Sequence, residues 1–262
     1  MSRGWVVSLL AVAWSVFLVL PLALVVIVSF TSSDYMVFPP ASLSLRWYLE
    51  TARLPWFRNA LGNSLLISIV ATLFAIVVGL LFARAMLRVR PSVRAAAELV
   101  VYSPLYIPSV MIGFGIFNMA ILLSMQDYGI WRMIVAHIVI ALPFVVRSIW
   151  ASLVGVDASL EEAAHSLGAT PRQTLLHVTI PSVAPGIVAG GFLAFAYSFN
   201  EIVISAFLTT PVSKTLPVEL MAHIEYQHDA TPAAISSILI ILMFFIFQIV
   251  MKVGGMKAII GR

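Results

Sequence analysis

The chain has 262 residues, of which 61% are hydrophobic and 10% charged, and its mean hydropathy is +1.06. Soluble domains are about 45–50% apolar and about 25% charged, so this composition excludes a water-soluble globule. The absence of cysteine excludes disulfide frameworks, thiol nucleophiles and Cys-ligated metal centres. The net charge of +4 comes from basic residues scattered among apolar runs, a pattern that excludes a nucleic-acid-binding surface.

Long apolar segments predict six membrane-spanning helices, because a helix that crosses about 30 Å of hydrocarbon needs about 20 mostly apolar residues. The predicted spans are roughly 5–30, 61–83, 99–123, 131–150, 183–208 and 233–253. The first is longer than the apolar core of a signal peptide, which has about 7–15 residues, so we expect a membrane anchor. We therefore expect residues 1–262 to form a single all-α transmembrane domain.

The distribution of Lys and Arg predicts the orientation, because these residues concentrate on the cytoplasmic side of membranes. Six spans place both termini on one side. The basic residues on that side are Arg3, Arg84, Arg88, Arg90, Arg94, Arg147, Arg172, Lys252, Lys257 and Arg262. The opposite side holds Arg46, Arg53, Arg58, Arg132 and Lys214. Both termini and the loop 151–182 are therefore expected to face the cytoplasm.

The pattern of the cytoplasmic loop, residues 151–182, predicts two short helices joined by a tight turn. Ser159 and Glu162 have the spacing of a capping box, and Gly168 suits the left-handed residue that ends a helix. The residues expected to shape the second helix are Thr170 as its cap, Pro171 as its first residue, Gln173 as the capping-box partner and Pro181 as its stop. These features fit both a connector resting on lipid and a docking element for a soluble partner.

The same loop resembles the EAA motif of ABC importer permeases, which reads E-A-A, three residues, G, nine residues, I-x-L-P. The matching residues are Glu162, Ala163, Ala164, Gly168, Val178, Ile180 and Pro181. Every spacing agrees, and the only departures are the conservative changes at Val178 and Ile180. The resemblance favours the docking element and implies a type I importer permease bundle of six transmembrane helices with a cytoplasmic coupling-helix loop.

The resemblance also implies roles for individual residues. In this family the loop sits in a cleft of an ATP-hydrolysing subunit, so Glu162 would make polar contacts there, while Ala163 and Ala164 would allow close approach. Gly168 would make the turn, and Pro181 closes the motif. The implied partners are two ATP-binding subunits, a second homologous permease, an extracytoplasmic solute-binding protein and the lipid of a bacterial cytoplasmic (inner) membrane.

Energy for transport is expected to come from another polypeptide. The sequence contains no G-x-x-x-x-G-K-[ST] loop to hold phosphates, and no H-E-x-x-H, G-x-S-x-G or paired-carboxylate site. We therefore expect a non-catalytic chain that holds no metal and no cofactor, while ATP and Mg²⁺ are used by the partner ATPase. His137 is expected to form a hydrogen bond between helices.

The fifth span carries the residues expected to line a translocation pathway. Small residues recur at every fourth position and predict close packing against another helix: Gly186, Gly190, Ala194 and Ser198. On a continuous helix Tyr197 and Glu201 fall within roughly 20° of that stripe, so Glu201 would face protein. A carboxylate at membrane depth costs at least about 2.5 kcal/mol, which favours a polar gate or cation-selective site with Asn200 alongside. A hydrogen bond between helices and an interfacial acid remain alternatives.

Two further segments extend the resemblance. The stretch from Pro104 through Pro108 to Gly113 is similar to a P-x-x-I-P-x-V-x-x-G segment of these permeases and predicts either a kink or a part of the pathway. Residues 198–209 and 214–219 resemble the polyamine (spermidine/putrescine) branch, whose members often have an acidic pair where this chain has Asn200 and Glu201.

That branch implies a polyamine or a related cationic or amino compound as solute, with a monocation, a zwitterionic amino compound and an opine also open. Because the polyamine relatives pair with a different permease chain, a heterodimer is favoured over a homodimer. The competing functions are a self-sufficient secondary transporter with Glu201 as a proton or cation relay, and an intramembrane enzyme.

Overall fold

The computed structural model describes residues 2–124, 129–157 and 159–260, and of residues 2–4 and 253–260 it describes the backbone. Within these residues, β pairing is limited to a single bridge between Thr31 and Leu43. In chain order the helices are α1 (Ser2–Val28), α2 (Arg46–Arg53), α3 (Pro55–Met86), α4 (Pro91–Tyr102), α5 (Ser109–Leu122), α6 (Gly129–Val154), α7 (Ser159–Ser166), α8 (Pro171–Thr174), α9 (Ile180–Phe199), α10 (Val203–Leu208), α11 (Leu216–Tyr226) and α12 (Thr231–Ile260). The predicted all-α fold is confirmed. Arg262, which entered the orientation argument, and Ala158 of the loop 151–182 lie outside the described residues.

Membrane-spanning helices occur where the apolar segments predict them. The described residues contain five helices that are long and apolar enough to cross a bilayer: Trp5–Val28, Pro55–Met86, Gly129–Val154, Pro171–Phe199 and Thr231–Lys252. A sixth span exists if the bent pair α4 and α5 is counted as one crossing. The apolar segments therefore locate the spans well, whereas two of them are interrupted in ways that hydropathy does not reveal.

The third predicted span, 99–123, is not straight, and the kink predicted as one alternative for its proline segment is present. Its two parts, Pro91–Leu105 and Ser109–Leu122, meet at an angle of 98°. Pro104 and Pro108 explain the break, because proline has no N–H and disfavours helical backbone in the residue before it. The N–H groups of Tyr106 and Ile107 both donate to the carbonyl oxygen of Ser103, at 3.0 and 3.2 Å, which closes the first part as a tight turn.

The fifth predicted span is also interrupted, so a helix running unbroken to residue 208 is wrong. Helix α9 ends at Phe199, and α10 starts at Val203. The side chains of Asn200 and Glu201 account for the break, since the first binds a carbonyl of α9 and the second binds an N–H of α10.

Contacts divide the chain into two compact units, one of which is built from Met1–Arg58 and Glu219–Phe245. In this unit Trp47 of α2 is buried against Ala230 and Ala234 at the start of α12. The hydroxyl of Tyr48 donates to Ser237 Oγ at 3.0 Å. These contacts hold the segment between α1 and α3 against α12.

The other unit consists of Asn59–Val218 and Ile246–Arg262, and its centre is the packing of α6 on α9. Gly186, Gly190, Ala194 and Ser198 are all buried, which confirms the predicted stripe. A Cβ atom on Gly190 would lie 2.9 Å from Ser148 Cβ and 3.0 Å from Val145 Cα, so the backbones of α6 and α9 touch at this glycine.

Replacing Gly190 with alanine should destabilise the protein, because the added methyl meets backbone as well as side-chain atoms of α6. We expect the free energy of unfolding to fall by about 1–3 kcal/mol, seen as a lower apparent melting temperature in detergent. Gly62→Ala is the matched control, since nothing lies within 4 Å of a Cβ at that helical position. Equal losses in the two variants would contradict close packing at Gly190.

Candidate functional site

The first helix of the loop 151–182, α7, is capped by a residue that the sequence pattern did not single out. Ser159 is the first helical residue, whereas the predicted capping box required it to precede the helix. Its N–H donates to Asp157 Oδ1 at 2.9 Å. Hydrogen bonds from Ser159 hold the pKa of Asp157 below its usual range, so this carboxylate is charged at neutral pH and suits a helix N-terminus.

Gly168 makes the turn after α7, as predicted. Its φ is +83°, in the left-handed region where L side chains are strained. The N–H of Ala169 donates to Ala164 O at 3.0 Å, and the N–H of Gly168 donates to His165 O at 2.9 Å. This pair of bonds is the Schellman motif, which satisfies the last carbonyl groups of a helix.

The second helix of the loop starts as predicted but does not stop as predicted. Thr170 Oγ1 accepts from the N–H of Gln173, and Gln173 Oε1 accepts from the N–H of Thr170, so the capping box is confirmed. Pro181 was expected to block continuation, yet a continuous helical path leads from α8 into α9. A wide π-helical turn, Leu175–Thr179, makes this possible, because the N–H of Ile180 reaches back to the carbonyl of Leu175.

The residues of the EAA motif lie mostly at the surface. Glu162, Ala163 and Gly168 are exposed, Ala164 is half-buried, and Pro181 is exposed at the start of α9. Leu167, at the tip of the turn, is 89% exposed. A rigid, doubly capped turn with small residues and one large apolar side chain is suited to seating in a cleft of another protein.

Glu161, next to the motif, points into the protein and was missed by the sequence analysis. Its Oε1 accepts a hydrogen bond from Thr179 Oγ1 at 2.5 Å, and its Oε2 lies 3.5 Å from Arg84 Nη2 and 4.0 Å from Arg88 Nη2. The hydrogen bond from Thr179 lowers the pKa of Glu161, and the charge of Arg84 adds to this effect against the opposing effect of burial. The carboxylate is therefore charged at neutral pH. Helix periodicity alone would place Glu161 and Glu162 on different faces of α7, which was the available signal.

The predicted pathway residues cluster around the break between α9 and α10. Asn200 Nδ2 donates to Ala196 O at 2.8 Å and so caps the end of α9. Glu201 Oε1 accepts from the N–H of Ile204 at 3.0 Å and so caps the start of α10. Because α9 stops at Phe199, the angle computed for Glu201 on a continuous helix does not apply. Glu201 is nevertheless buried, with 9% exposed, because it lies at the break and binds the start of α10, and not because of helix periodicity.

Tyr197 remains on α9 and is 37% exposed. Its ring packs against Phe144 of α6, with the ring centroids 4.8 Å apart. Pro181 of the motif lies at the start of the 20-residue helix α9, which spans about 30 Å, and Tyr197 lies near its end.

A buried histidine joins the two sides of this break. His137 of α6 is 1% exposed. Its Nδ1 lies 2.7 Å from Ser198 Oγ on α9, and its Nε2 lies 3.2 Å from Ser205 Oγ on α10. The prediction that His137 bonds between helices is confirmed.

The interrupted third span packs against the interrupted fifth. A Cβ atom on Gly113 of α5 would lie 3.2 Å from Ile204 Cα and 3.3 Å from Phe207 Cβ of α10. The glycine that closes the proline-rich segment therefore lets α5 approach the short helix that follows Glu201. The helix that follows the first break, α5, thus packs on the helix that follows the second, α10.

Comparison with known proteins identifies the family. The profile of the binding-protein-dependent transport system inner membrane component family matches residues 75–254. The chain belongs to this family. It is a permease subunit of an ABC importer, and the resemblance that the EAA motif carries is confirmed.

Three relatives are similar to this chain over most of their length. The chain is 26% identical to the spermidine/putrescine transport system permease PotC of Escherichia coli K12 over 226 residues, 86% of this chain and 85% of PotC. It is 32% identical to the putrescine transport system permease PotI of the same strain over 220 residues, 82% of this chain and 78% of PotI. It is 30% identical to the putative 2-aminoethylphosphonate permease PhnV of Salmonella paratyphi A over 259 residues, 97% of this chain and 96% of PhnV.

Solved structures show the same fold. A bacterial ABC transporter that imports the acidic polysaccharide alginate has a chain that matches with a TM-score of 0.72 and 17% identity, over 99% of this chain and 97% of that one. The alginate transporter in complex with its pentasaccharide-bound periplasmic protein matches with a TM-score of 0.72 and 16% identity, over 95% and 93% of the two chains.

Two substitutions at Gly168 separate the effect of the left-handed backbone from the effect of an added side chain. Nothing lies within 4 Å of a Cβ at this position, so a substitution acts through the positive φ. Gly168→Val should cost about 1–2 kcal/mol of backbone strain and reduce ATP-driven uptake in proteoliposomes, whereas Gly168→Asn should retain most uptake because asparagine adopts this conformation readily. Equal loss in both variants would show that the left-handed backbone is not what the turn requires.

Proposed function

We propose that this chain forms half of a membrane pathway for a small solute bearing a primary ammonium group, driven by separate ATP-binding subunits. The observation that supports this most is the exposed turn around Gly168, joined through α9 to the polar break at Asn200 and Glu201. An element that docks outside the membrane is thus continuous with the residues proposed to contact solute.

In this proposal the coupling loop is the contact with the ATPase. Glu162 makes polar contacts in a cleft of that subunit, Ala163 and Ala164 allow the helix to seat deeply, and Gly168 keeps the turn tight. ATP and Mg²⁺ are bound and used by two such subunits, and this chain holds no cofactor. Pro181 marks the point at which motion of the loop enters α9.

The remaining partners complete the pathway. A second, homologous permease supplies the other half, and a different chain is favoured over a second copy because of the polyamine relatives. The alginate transporter was solved with a periplasmic solute-binding protein, which supports such a partner on the outer side. This arrangement requires the loop and both termini to face the cytoplasm of a bacterial inner membrane, in agreement with the distribution of Lys and Arg.

The proposed solute class follows from what the relatives are named for. Putrescine, spermidine and 2-aminoethylphosphonate all carry a primary ammonium group. Glu201 is a carboxylate at membrane depth with a neutral amide beside it, so it offers one negative charge to such a group. Tyr197 and Asn200 are its proposed neighbours along the pathway.

The proposed mechanism is alternating access. ATP binding brings the two ATPase subunits together, the coupling loops move with them, and the paired permeases open outward to receive solute. ATP hydrolysis then resets the complex. Membership of the ABC importer family leaves no place for a self-sufficient secondary transporter driven by Glu201.

Gentle purification of the tagged chain tests the proposal as a whole. An ATP-hydrolysing subunit and a second permease should co-purify with it, and putrescine or 2-aminoethylphosphonate with its binding protein should stimulate ATP hydrolysis. A cytosolic ATPase reaches the loop only if the loop faces the cytoplasm, so its presence also tests the orientation. Uptake by the isolated chain in vesicles without ATP would overturn the proposal.

Glutamine at position 201 separates the charge of Glu201 from its capping role. Glu201→Gln keeps an oxygen that accepts the Ile204 N–H but removes the charge. We expect the KM for putrescine uptake to rise about tenfold, the loss of one charge-assisted contact, with little change in melting temperature. Glu201→Ala should lower the melting temperature as well, because the cap is worth about 0.5–2 kcal/mol. A wild-type KM in Glu201→Gln would remove the proposed solute contact.

A further inference from the structure

The carboxylate of Glu161 joins three elements that are far apart in sequence. Its Oε1 accepts from Thr179, the last residue of the π-helical turn before α9. Its Oε2 faces the guanidinium of Arg84 at the end of the span α3, at 3.5 Å. A single side chain of α7 therefore holds the cytoplasmic ends of two membrane-spanning helices.

Apolar packing contributes little to holding α7 in place. No residue from Ser159 to Ser166 is buried, although all of them lie in the described part of the chain. A cavity of about 510 Å³ lies beneath the helix, and its walls include Trp150, Val156 and the side chains of Glu161 and Thr179. This space separates α7 from the end of α6, while Val156 and Leu175 on either side of α7 pack against the core of the bundle. The polar contacts of Glu161 therefore tie α7 itself to α3 and to the turn before α9.

The contact is sheltered from water, which makes it stronger than an ordinary surface ion pair. The Arg84 side chain is 17% exposed and that of Glu161 is 25% exposed. Thr179 is buried. Arg88 is 70% exposed and 4.0 Å away, so its contribution is small. Among the described residues, Glu161 is the carboxylate placed against Arg84.

The adjacent acids Glu161 and Glu162 of α7 therefore differ in exposure and in partners. Glu162 is exposed and free to meet the docking partner, while Glu161 is turned inward to Arg84 and Thr179.

We propose that Glu161 is a positioning residue that latches the coupling loop to the cytoplasmic ends of α3 and α9, so that loop and spans move as one body. This inference rests on the proposed function, since it assumes that an ATPase moves the loop. It differs from docking: a loop without the latch still binds the ATPase but no longer transmits its motion.

The test compares ATP hydrolysis with solute uptake in proteoliposomes that contain the whole complex. The probe is radiolabelled putrescine or 2-aminoethylphosphonate, whichever stimulates the wild-type ATPase. Glu161→Gln keeps an acceptor for the Thr179 hydroxyl but loses the attraction to Arg84, while Thr179→Val removes the hydroxyl and leaves every charge in place. In both variants the ATPase should co-purify at the wild-type ratio, and the ATP hydrolysed per solute moved should rise about fivefold or more.

Two controls make the result specific. Glu50→Gln removes an exposed carboxylate that pairs with Arg46 at 2.6 Å outside the loop, and it should keep the wild-type ratio of ATP to solute. The exchange Arg84→Glu with Glu161→Arg should restore part of the coupling that Arg84→Glu alone loses, because it rebuilds the opposed charges.

Several results would overturn the latch. An unchanged ratio of ATP to solute in both Glu161→Gln and Thr179→Val shows that the contact transmits nothing. Loss of the co-purifying ATPase in either variant shows a docking role instead. Uptake by the wild-type complex without ATP would refute the proposed function itself. This uptake is therefore measured in the wild type before any variant is compared.

Discussion

Every backbone N–H and C=O group inside a bilayer needs a partner within the protein, and this requirement governs the places where the chain departs from regular helix. The chain breaks two of its predicted spans, one after Tyr102 and one after Phe199. At the second break Glu201 supplies a partner for an N–H at the start of α10, and Asn200 adds a second hydrogen bond to Ala196 O, which already accepts from the Asn200 N–H. The polar residues Asn200 and Glu201 can therefore stand where hydropathy alone would place only an apolar helix.

The features that local sequence determines were predictable. Apolar length located the spans, the spacing of Thr170 and Gln173 predicted a capping box, and the small residues of α9 predicted its packing face. Gly168 was predicted to turn because an αL residue ends many helices, and its φ agrees. Each of these properties depends on a few neighbouring residues, so a single sequence carries enough information.

The features that depend on residues distant in sequence were not predictable. Glu161 contacts Arg84, which lies in another helix, and only the fold brings them together. The break after Phe199 lies within an apolar run and could not be predicted. An Asn-Glu pair in a span is compatible both with an unbroken helix and with two capped helix ends. Pro181 led to the opposite error. It was expected to end the helix, but the π-helical turn before it accommodates the N–H that proline lacks. The roles of Glu162, Ala163, Ala164, Gly168 and Pro181 in coupling, and of Tyr197, Asn200 and Glu201 in transport, remain proposals that geometry supports.

The bridge made by His137 has a directional consequence. A neutral imidazole carries one N–H and one bare nitrogen, so it donates to one hydroxyl and accepts from the other. Ser198 and Ser205 therefore hold opposite roles at any moment, and exchange of the two tautomers reverses both. Each hydroxyl must then rotate its own proton, so the ring of His137 on α6 determines whether the serine of α9 or that of α10 is the donor. The tautomer of His137 thus determines the sense of the hydrogen-bond chain across the break, and that sense changes whenever the tautomer does.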